Sequence, residues 1–410
     1  MRTSTEAAAA LSLILCLSGP LGAATDRPLK SYPDAELKAA APNTDVLFVV
    51  SGDNRPTAKG APMPPVLATI ISEIGVIRPD FVLWTGDTVY GYCDTREELE
   101  QEYRAFEEAA RPIAGTVPLY NAPGNHEIHS QQTCKAPAET LCGPPCSEEA
   151  FRTRFGQLYG SFDHAGVHYI ALDTDFPGAQ DAIAGEQLEW LKRDLEANKG
   201  ARAIFLFSHT EFYSSPHIDE QAGRSHPGVK NAQELHELFR RYPVKAVFSG
   251  HEHLYWREAH DGIDYFVAGG AGAPLYASPD RGGFSHYLVV RVTGATVNYD
   301  LIEPGRLSLS NGSGGKDEAK VWIVNSNDLT QPLLLRGLDV QVPASLGDCA
   351  ALTVGGELRR GAEGEPIEGF AIESCAPAPG GNLRLHLKAP PLRQGSVAVT
   401  VRKKASGKPG

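Results

Sequence analysis

Five times between residues 45 and 253 a short apolar run stops at a side chain able to hold a metal ion. Residues 45–51 lead into Gly52-Asp53-Asn54-Arg55, and residues 81–85 into Gly86-Asp87, with Tyr90 three positions on. Residues 117–122 run into Pro123-Gly124-Asn125-His126-Glu127, residues 203–208 into His209, and residues 244–249 into Gly250-His251-Glu252-His253. Near-continuous apolar runs of this length mark strands buried on both faces. In open α/β sheets ligands bind at the carboxyl edge of such strands. One Asp or His there is usually a satisfied local hydrogen bond. Five at the same kind of edge point to a site.

The stretches between them carry a helical period at 64–77, 96–111, 185–198 and 231–242, and residues 167–172 form another apolar run. Pro65 lies near the start of the first helix and Pro79 beyond its end, while Thr95 and Glu98 are spaced as a capping box for the second. Further strands are expected at 265–268, 287–292 and 296–301, consistent with a second sheet. Strands alternating with helices predict an α/β architecture. Residues 128–147, rich in Cys, Pro and Gln, read as a disulfide-braced loop near the site. Residues 311–315 (NGSGG) read as a linker. Short β-like runs at 320–324, 333–342, 383–387 and 396–401 predict a small C-terminal β-sandwich. The chain therefore divides into a leader (1–24), a catalytic domain (25–304), a linker (305–319) and a β-domain (320–410).

Composition narrows the partners. A formal net charge of -12 over 410 residues, with no long basic run, argues against nucleic acid or an anionic membrane, and no nucleic-acid groove is evident. Acidity leaves a phosphate substrate open, because bound metal reverses the local field. Residues 1–24 read as an export signal: Arg2, an apolar core from Ala7 to Leu17, and a small-residue exit at Gly22-Ala23-Ala24. No later run is apolar enough to span a bilayer. A secreted or periplasmic protein is expected, its oligomeric state not legible. Six cysteines then remain, an even number that suggests disulfides. Cys349 and Cys375 are expected to pair. Cys93, Cys134, Cys142 and Cys146 allow three connectivities.

The donor set of carboxylate, amide oxygen, imidazole and phenol suits Fe, Zn or Mn rather than soft metals. In the order Gly52-Asp53, Gly86-Asp87-x-x-Tyr90, Gly124-Asn125-His126-Glu127, His209 and Gly250-His251-Glu252-His253, the chain resembles the calcineurin-like metallophosphoesterases. Tyr90, and the glycine-rich residues 269–273, are similar to the purple acid phosphatase branch. The resemblance covers about residues 45–303 and implies a four-layer sandwich of two mixed β-sheets flanked by helices. It also implies two metal ions, Fe(III) and a divalent ion (Zn, Fe or Mn). Asp53, Asp87, Tyr90 and His253 would surround the first, and Asp87, Asn125, His209 and His251 the second. The implied activity is hydrolysis of phosphate monoesters, on a small molecule or a phosphoprotein, by a metal-bound hydroxide. His126 would protonate the leaving group, Glu127 would orient His126, and His217 would be a substrate-loop histidine, weighed against a plain surface histidine. Tyr213 is a weaker candidate.

One departure matters. Arg55 stands where this superfamily has His or Gly, and a charged Arg cannot ligate metal. It would either grip phosphate in a fork or point to solvent. The remaining histidines (129, 164, 168, 226, 236, 260 and 286) read as structural and Glu252 as a solvated spacer. A phosphodiesterase or nucleotide phosphohydrolase is the alternative activity. A secreted surface- or glycan-binding protein with a relic metal core is the alternative from outside enzymology.

Overall fold

The computed structural model describes residues 27–404, apart from 33–34, 129–133, 136, 219–226, 313, 330 and 361–362. The expected leader and the histidines at 129 and 226 lie outside the described residues. In the catalytic half the strands are β1 Val46–Ser51, β2 Phe81–Trp84, β3 Leu119–Asn121, β4 Gly160–His164, β5 Val167–Ala171, β6 Ala203–Phe207, β7 Val244–Ser249, β8 Tyr255–His260, β9 Ile263–Ala268, β10 Tyr287–Thr293 and β11 Thr296–Ile302. The helices are α1 Pro65–Ile77, α2 Arg96–Ala110, α3 Cys146–Phe155, α4 Gly185–Ala197 and α5 Ala232–Phe239.

Two mixed sheets form. The first runs β11-β10-β1-β2-β3 and the second β4-β5-β6-β7-β9-β8. Within the first, β1, β2 and β3 are mutually parallel, and within the second β5, β6, β7 and β9 are. Parallel strands present their carboxyl ends at one edge, which is why side chains far apart in sequence arrive together. The sheets pack face to face through aromatic rings: Phe48 of β1 stacks on Phe81 of β2 at 5.4 Å and meets Tyr169, Phe205 and Phe248 of the second sheet edge-on at 5.3–6.0 Å. The alternate residues of β1, Leu47 and Val49, turn the other way into the cluster that holds Leu67, Ile70 and Ile74 of α1. Trp84 of β2 meets Phe106 of α2 at 5.8 Å, so helices cover the outer face. The expected Thr95–Glu98 capping box is present. The four-layer α/β sandwich is the observed architecture.

The C-terminal part adds β12 Leu307–Gly312, β13 Glu318–Asn325, β14 Leu338–Pro343, β15 Leu352–Arg360, β16 Glu363–Ile367, β17 Ala371–Ala378, β18 Asn382–Lys388 and β19 Gly395–Lys403. They form a five-stranded sheet, β12-β13-β19-β15-β16, and a three-stranded one, β14-β18-β17. Two differences from the sequence reading have a physical cause. Residues 307–312 are not linker but a strand paired with β13, because Leu-Ser-Leu-Ser alternates and Asn311 and Gly312 continue the pairing, opposite Val321 and Lys320. Helix α3 opens inside the Cys/Pro segment that was expected to be loop throughout. The β-domain docks on the end of α1: Arg336 Nη2 lies 2.7 Å from Asp80, and Glu73 accepts from Gly305 N and Leu307 N at 2.9 Å each.

The disulfides are Cys93–Cys134, Cys142–Cys146 and Cys349–Cys375. The last is the expected pair, and the first two select one of the three open connectivities. Among the described residues no helix is long and apolar enough to cross a membrane.

Candidate metal centre

The carboxyl ends of β1, β2, β3, β6 and β7 meet at one buried point. Asp53, Asp87 and His209 bring ligand atoms within 4.8 Å of one another. Around them Asn125 Oδ1 lies 2.8 Å from His209 Nε2 and 3.0 Å from His251 Nδ1, and those two nitrogens are 3.1 Å apart. Asp87 Oδ1 is 3.3 Å from His209 Nε2, and His253 Nε2 is 3.4 Å from Asp53 Oδ1. Six of the seven expected ligands thus converge. Tyr90 differs: its ring lies 5.6 Å from that of His126 and its carbonyl faces His126 Nδ1, but its hydroxyl makes no described hydrogen bond to Asp53 or Asp87.

Backbone strain accompanies the convergence. Asp53, Asp87 and His251 have φ of 62°, 54° and 67°, a region that costs a non-glycine residue roughly 1–2 kcal/mol. Glycine makes room beside them. A Cβ on Gly250 would lie 2.1 Å from Asp53 Oδ2, and one on Gly124 would lie 2.4 Å from Asp87 Oδ1.

The hydrogen bonds show what the donor set lacks. His209 Nδ1–H donates to Thr85 O at 2.8 Å and His253 Nδ1–H to Pro274 O at 2.6 Å. Each Nε2 then turns a lone pair toward another acceptor, Asn125 Oδ1 or Asp53 Oδ1. Acceptors at this spacing repel unless positive charge lies between them, and atoms ~2.0–2.2 Å from one cation sit about this far apart. The residues fit metal.

Burial raises the Asp53 carboxyl to about 6, against the pull of His209, the His251 N–H and Arg55. Asp87 is raised too, by burial and then by the Asp53 charge, with Arg55 and His253 opposing. Burial, helped by Arg55, pushes His126 well below its usual range.

The neighbouring side chains sort by what they touch. Arg55 turns inward, 7% exposed, with Nε 3.4 Å from Asp87 Oδ2. His126 Nε2 is 3.8 Å from the same oxygen. Glu127, expected on His126, instead accepts from Asp87 N at 2.9 Å, Thr88 N and Oγ1 at 2.6 Å each, and Gly124 N at 2.8 Å. It clamps the two ligand loops together, because four donors converge on its buried carboxylate. Glu252 is not a solvated spacer: it is buried and accepts from Ser214 Oγ and from Ser215 N at 2.8 Å. His217 lies edge-on to Trp256 at 5.0 Å, with no described contact to the ligand cluster. Tyr213 packs on Tyr265 and His260.

Three groups escaped the sequence reading. Tyr92 stacks on His126 at 4.0 Å, and its hydroxyl oxygen accepts from Asn125 Nδ2. Asp173 and Asp175 are buried just past β5, and Asp175 is raised well above the usual range by burial, then by Asp173 and Asp87. Their signal was available, since β5 is also an apolar run ending on an acid. Tyr92 had none, because an aromatic in a loop is ordinary.

Comparison with known proteins places these observations. The family profile described as calcineurin-like phosphoesterase matches residues 63–255, a span that holds Asp87, Asn125, His209, His251 and His253. Among curated relatives, the serine/threonine-protein phosphatase CPPED1 of Danio rerio is 27% identical over 205 residues, covering 48% of this chain and 62% of that protein. Purple acid phosphatase 23 of Arabidopsis thaliana is 32% identical over 169 residues, 40% of this chain and 34% of that one. The solved structure of purple acid phosphatase PPD1 from yellow lupin (Lupinus luteus) superposes with a TM-score of 0.50 at 18% identity, covering 71% of this chain and 53% of that chain. That last likeness speaks to the fold. The match spans less than two thirds of each relative's length.

Proposed function

We propose, from the match of residues 63–255 to the calcineurin-like phosphoesterase family, that the chain is an exported hydrolase of phosphate monoesters that works with two metal ions. One observation carries the reading: side-chain ligand atoms of Asp87, Asn125, His209 and His251 face one another at 2.8–3.3 Å beside the Asp53–His253 pair. Asp53, Asp87 and His253 would hold one ion; Asp87, Asn125, His209 and His251 the other. When bound, such ions supply charge against phosphoryl oxygens and lower the pKa of a water. Fe(III) with a divalent ion remains the proposed pair; a visible band lost on Tyr90→Phe would return Tyr90 to the ligand set as a phenolate on iron.

The chain's own residues supply positioning and proton transfer, which is most of what phosphoryl transfer requires. Arg55 stands beside Asp87 with a fork suited to phosphoryl oxygens. His126 donates Nδ1–H to the Tyr90 carbonyl, so Nε2 presents its lone pair to the site, and the proton passed to the leaving oxygen is first taken up there from water. Glu127 holds the Asp87 and Gly124 loops in register, so its role is in positioning. Three disulfides support export. The catalytic unit is proposed to end at β11 and the β-sandwich to begin at β12. Substrates in scope are phosphorylated small molecules and phosphoproteins.

The test is hydrolysis of p-nitrophenyl phosphate against the bis(p-nitrophenyl) ester, with elemental analysis of the same sample. Metal bound in stoichiometric amount and a preference for the monoester are expected. Greater efficiency on the bis ester overturns the monoester reading, and bound metal without any hydrolysis overturns the enzyme.

A further inference from the structure

The loop after β2 carries two tyrosines, and the motif that identifies the site contains only Tyr90. The geometry points to the other one. We propose that Tyr92 is the positioning residue of this centre: it fixes the face that the Asn125 amide presents and holds the His126 ring in place. The inference rests on the metal-centre reading above.

Asn125 is useful to a cation only through Oδ1. That oxygen faces His209 Nε2 and His251 Nδ1 at 2.8 and 3.0 Å, whereas the amide nitrogen must find an acceptor on the far side. Tyr92 Oη is that acceptor. An amide without it has a half-buried donor to satisfy and gains by turning or tilting, which swings the ligand oxygen away. The same ring lies 4.0 Å from His126 at an interplanar angle of 25°, and the Tyr90 carbonyl holds His126 Nδ1. Ring and carbonyl together leave the imidazole one orientation, with Nε2 toward Asp87.

The loop is built to keep Tyr92 still. Glu102 on α2 accepts from Tyr90 N at 2.7 Å and Gly91 N at 2.9 Å. Cys93, the next residue, is tied to Cys134, and its carbonyl accepts from Lys59 Nζ at 2.8 Å. Fixing a residue from three directions is what a supporting group needs in order to orient a ligand.

The test is a double-mutant cycle read by metal binding. Zinc binding to chelator-stripped protein is measured by calorimetry for the parent, Tyr92→Phe, Asn125→Ala and the double variant. Phenylalanine keeps the ring and removes only the oxygen, so it retains the packing. Loss of a supporting partner lowers metal affinity about 10–100-fold, and the expected loss for Tyr92→Phe falls at the lower end, in one site only. In the Asn125→Ala background the same change is expected to have no further effect, since its partner is gone. Tyr92→Leu, which also removes the stack, is expected to lower kcat for p-nitrophenyl phosphate and alter its pH profile with little change in KM. Zinc bound by Tyr92→Phe as tightly as by the parent, or equal losses in both backgrounds, overturns the proposal. The zinc arm needs no catalysis, so a parent that binds zinc but hydrolyses nothing defeats the phosphatase reading and leaves this one standing.

Discussion

Replacing Asp53 with Asn in the metal-free protein is expected to raise its stability while removing its function. Asp53 is wholly buried, and burial lifts its carboxyl from the ordinary 3.8 to about 6. A rise of that size corresponds to about 3 kcal/mol. The sign follows from linkage. Below 3.8 the group is neutral in both states and adds nothing. Between 3.8 and 6 the unfolded chain has lost the proton and the folded one retains it, so stability falls as pH rises. Above 6 the folded protein carries the whole penalty. Asn keeps an oxygen to accept from His251 N, which lies 3.0 Å from Asp53 Oδ1, and it tolerates the positive φ at least as well. Urea unfolding of chelator-treated protein should therefore show Asp53→Asn more stable by on the order of 3 kcal/mol near pH ~7.5, and by almost nothing near pH ~4. Added zinc should reverse the order, because only the parent binds it well, and ligand at ~1,000 times Kd stabilises by about 4 kcal/mol. A variant less stable than the parent in the stripped state, or a gain that ignores pH, would refute the argument that a cation is what these carboxylates lack.

Three further outcomes follow from the same physics. Glu127→Gln is expected to cost about 2–4 kcal/mol in urea unfolding and to weaken zinc binding, because an amide NH2 then meets backbone donors at Asp87, Thr88 or Gly124. Burial disfavours the His168 charge, but hydrogen bonds to Asp163 and Asp194 outweigh it and lift the group to about 9. Its contribution, up to about 3 kcal/mol, is full below an unfolded pKa near ~6.5 and lost as pH rises through 9; unfolding across that window should show the loss in the parent and not in His168→Gln. Replacing Cys93 and Cys134 by Ser opens a loop of 41 residues, for which loop entropy gives about 4 kcal/mol, and should lower zinc affinity by freeing Tyr92; unchanged affinity would separate the staple from the site.

Much of the catalytic half was legible in order. The apolar runs ending on Asp53, Asp87, Asn125, His209 and His251 specify buried strands, because two-sided burial leaves no polar face to confuse the period. Edge elements were harder to read: β8 mixes half-exposed and exposed residues, and β12 was lost because the glycine-rich residues at its end read as a linker.

The sequence by itself determined the donor chemistry, the strand ends that carry it and the expected pair Cys349–Cys375. Only the tertiary structure decided that Glu127 clamps two loops rather than one histidine, that Arg55 faces Asp87, that Cys93 joins Cys134, and that Tyr92 reaches Asn125. The reason is one of range. Strand patterns are set by neighbours within a few residues, whereas the partners of a buried polar atom are whatever the packed sheets bring within about 3 Å of it.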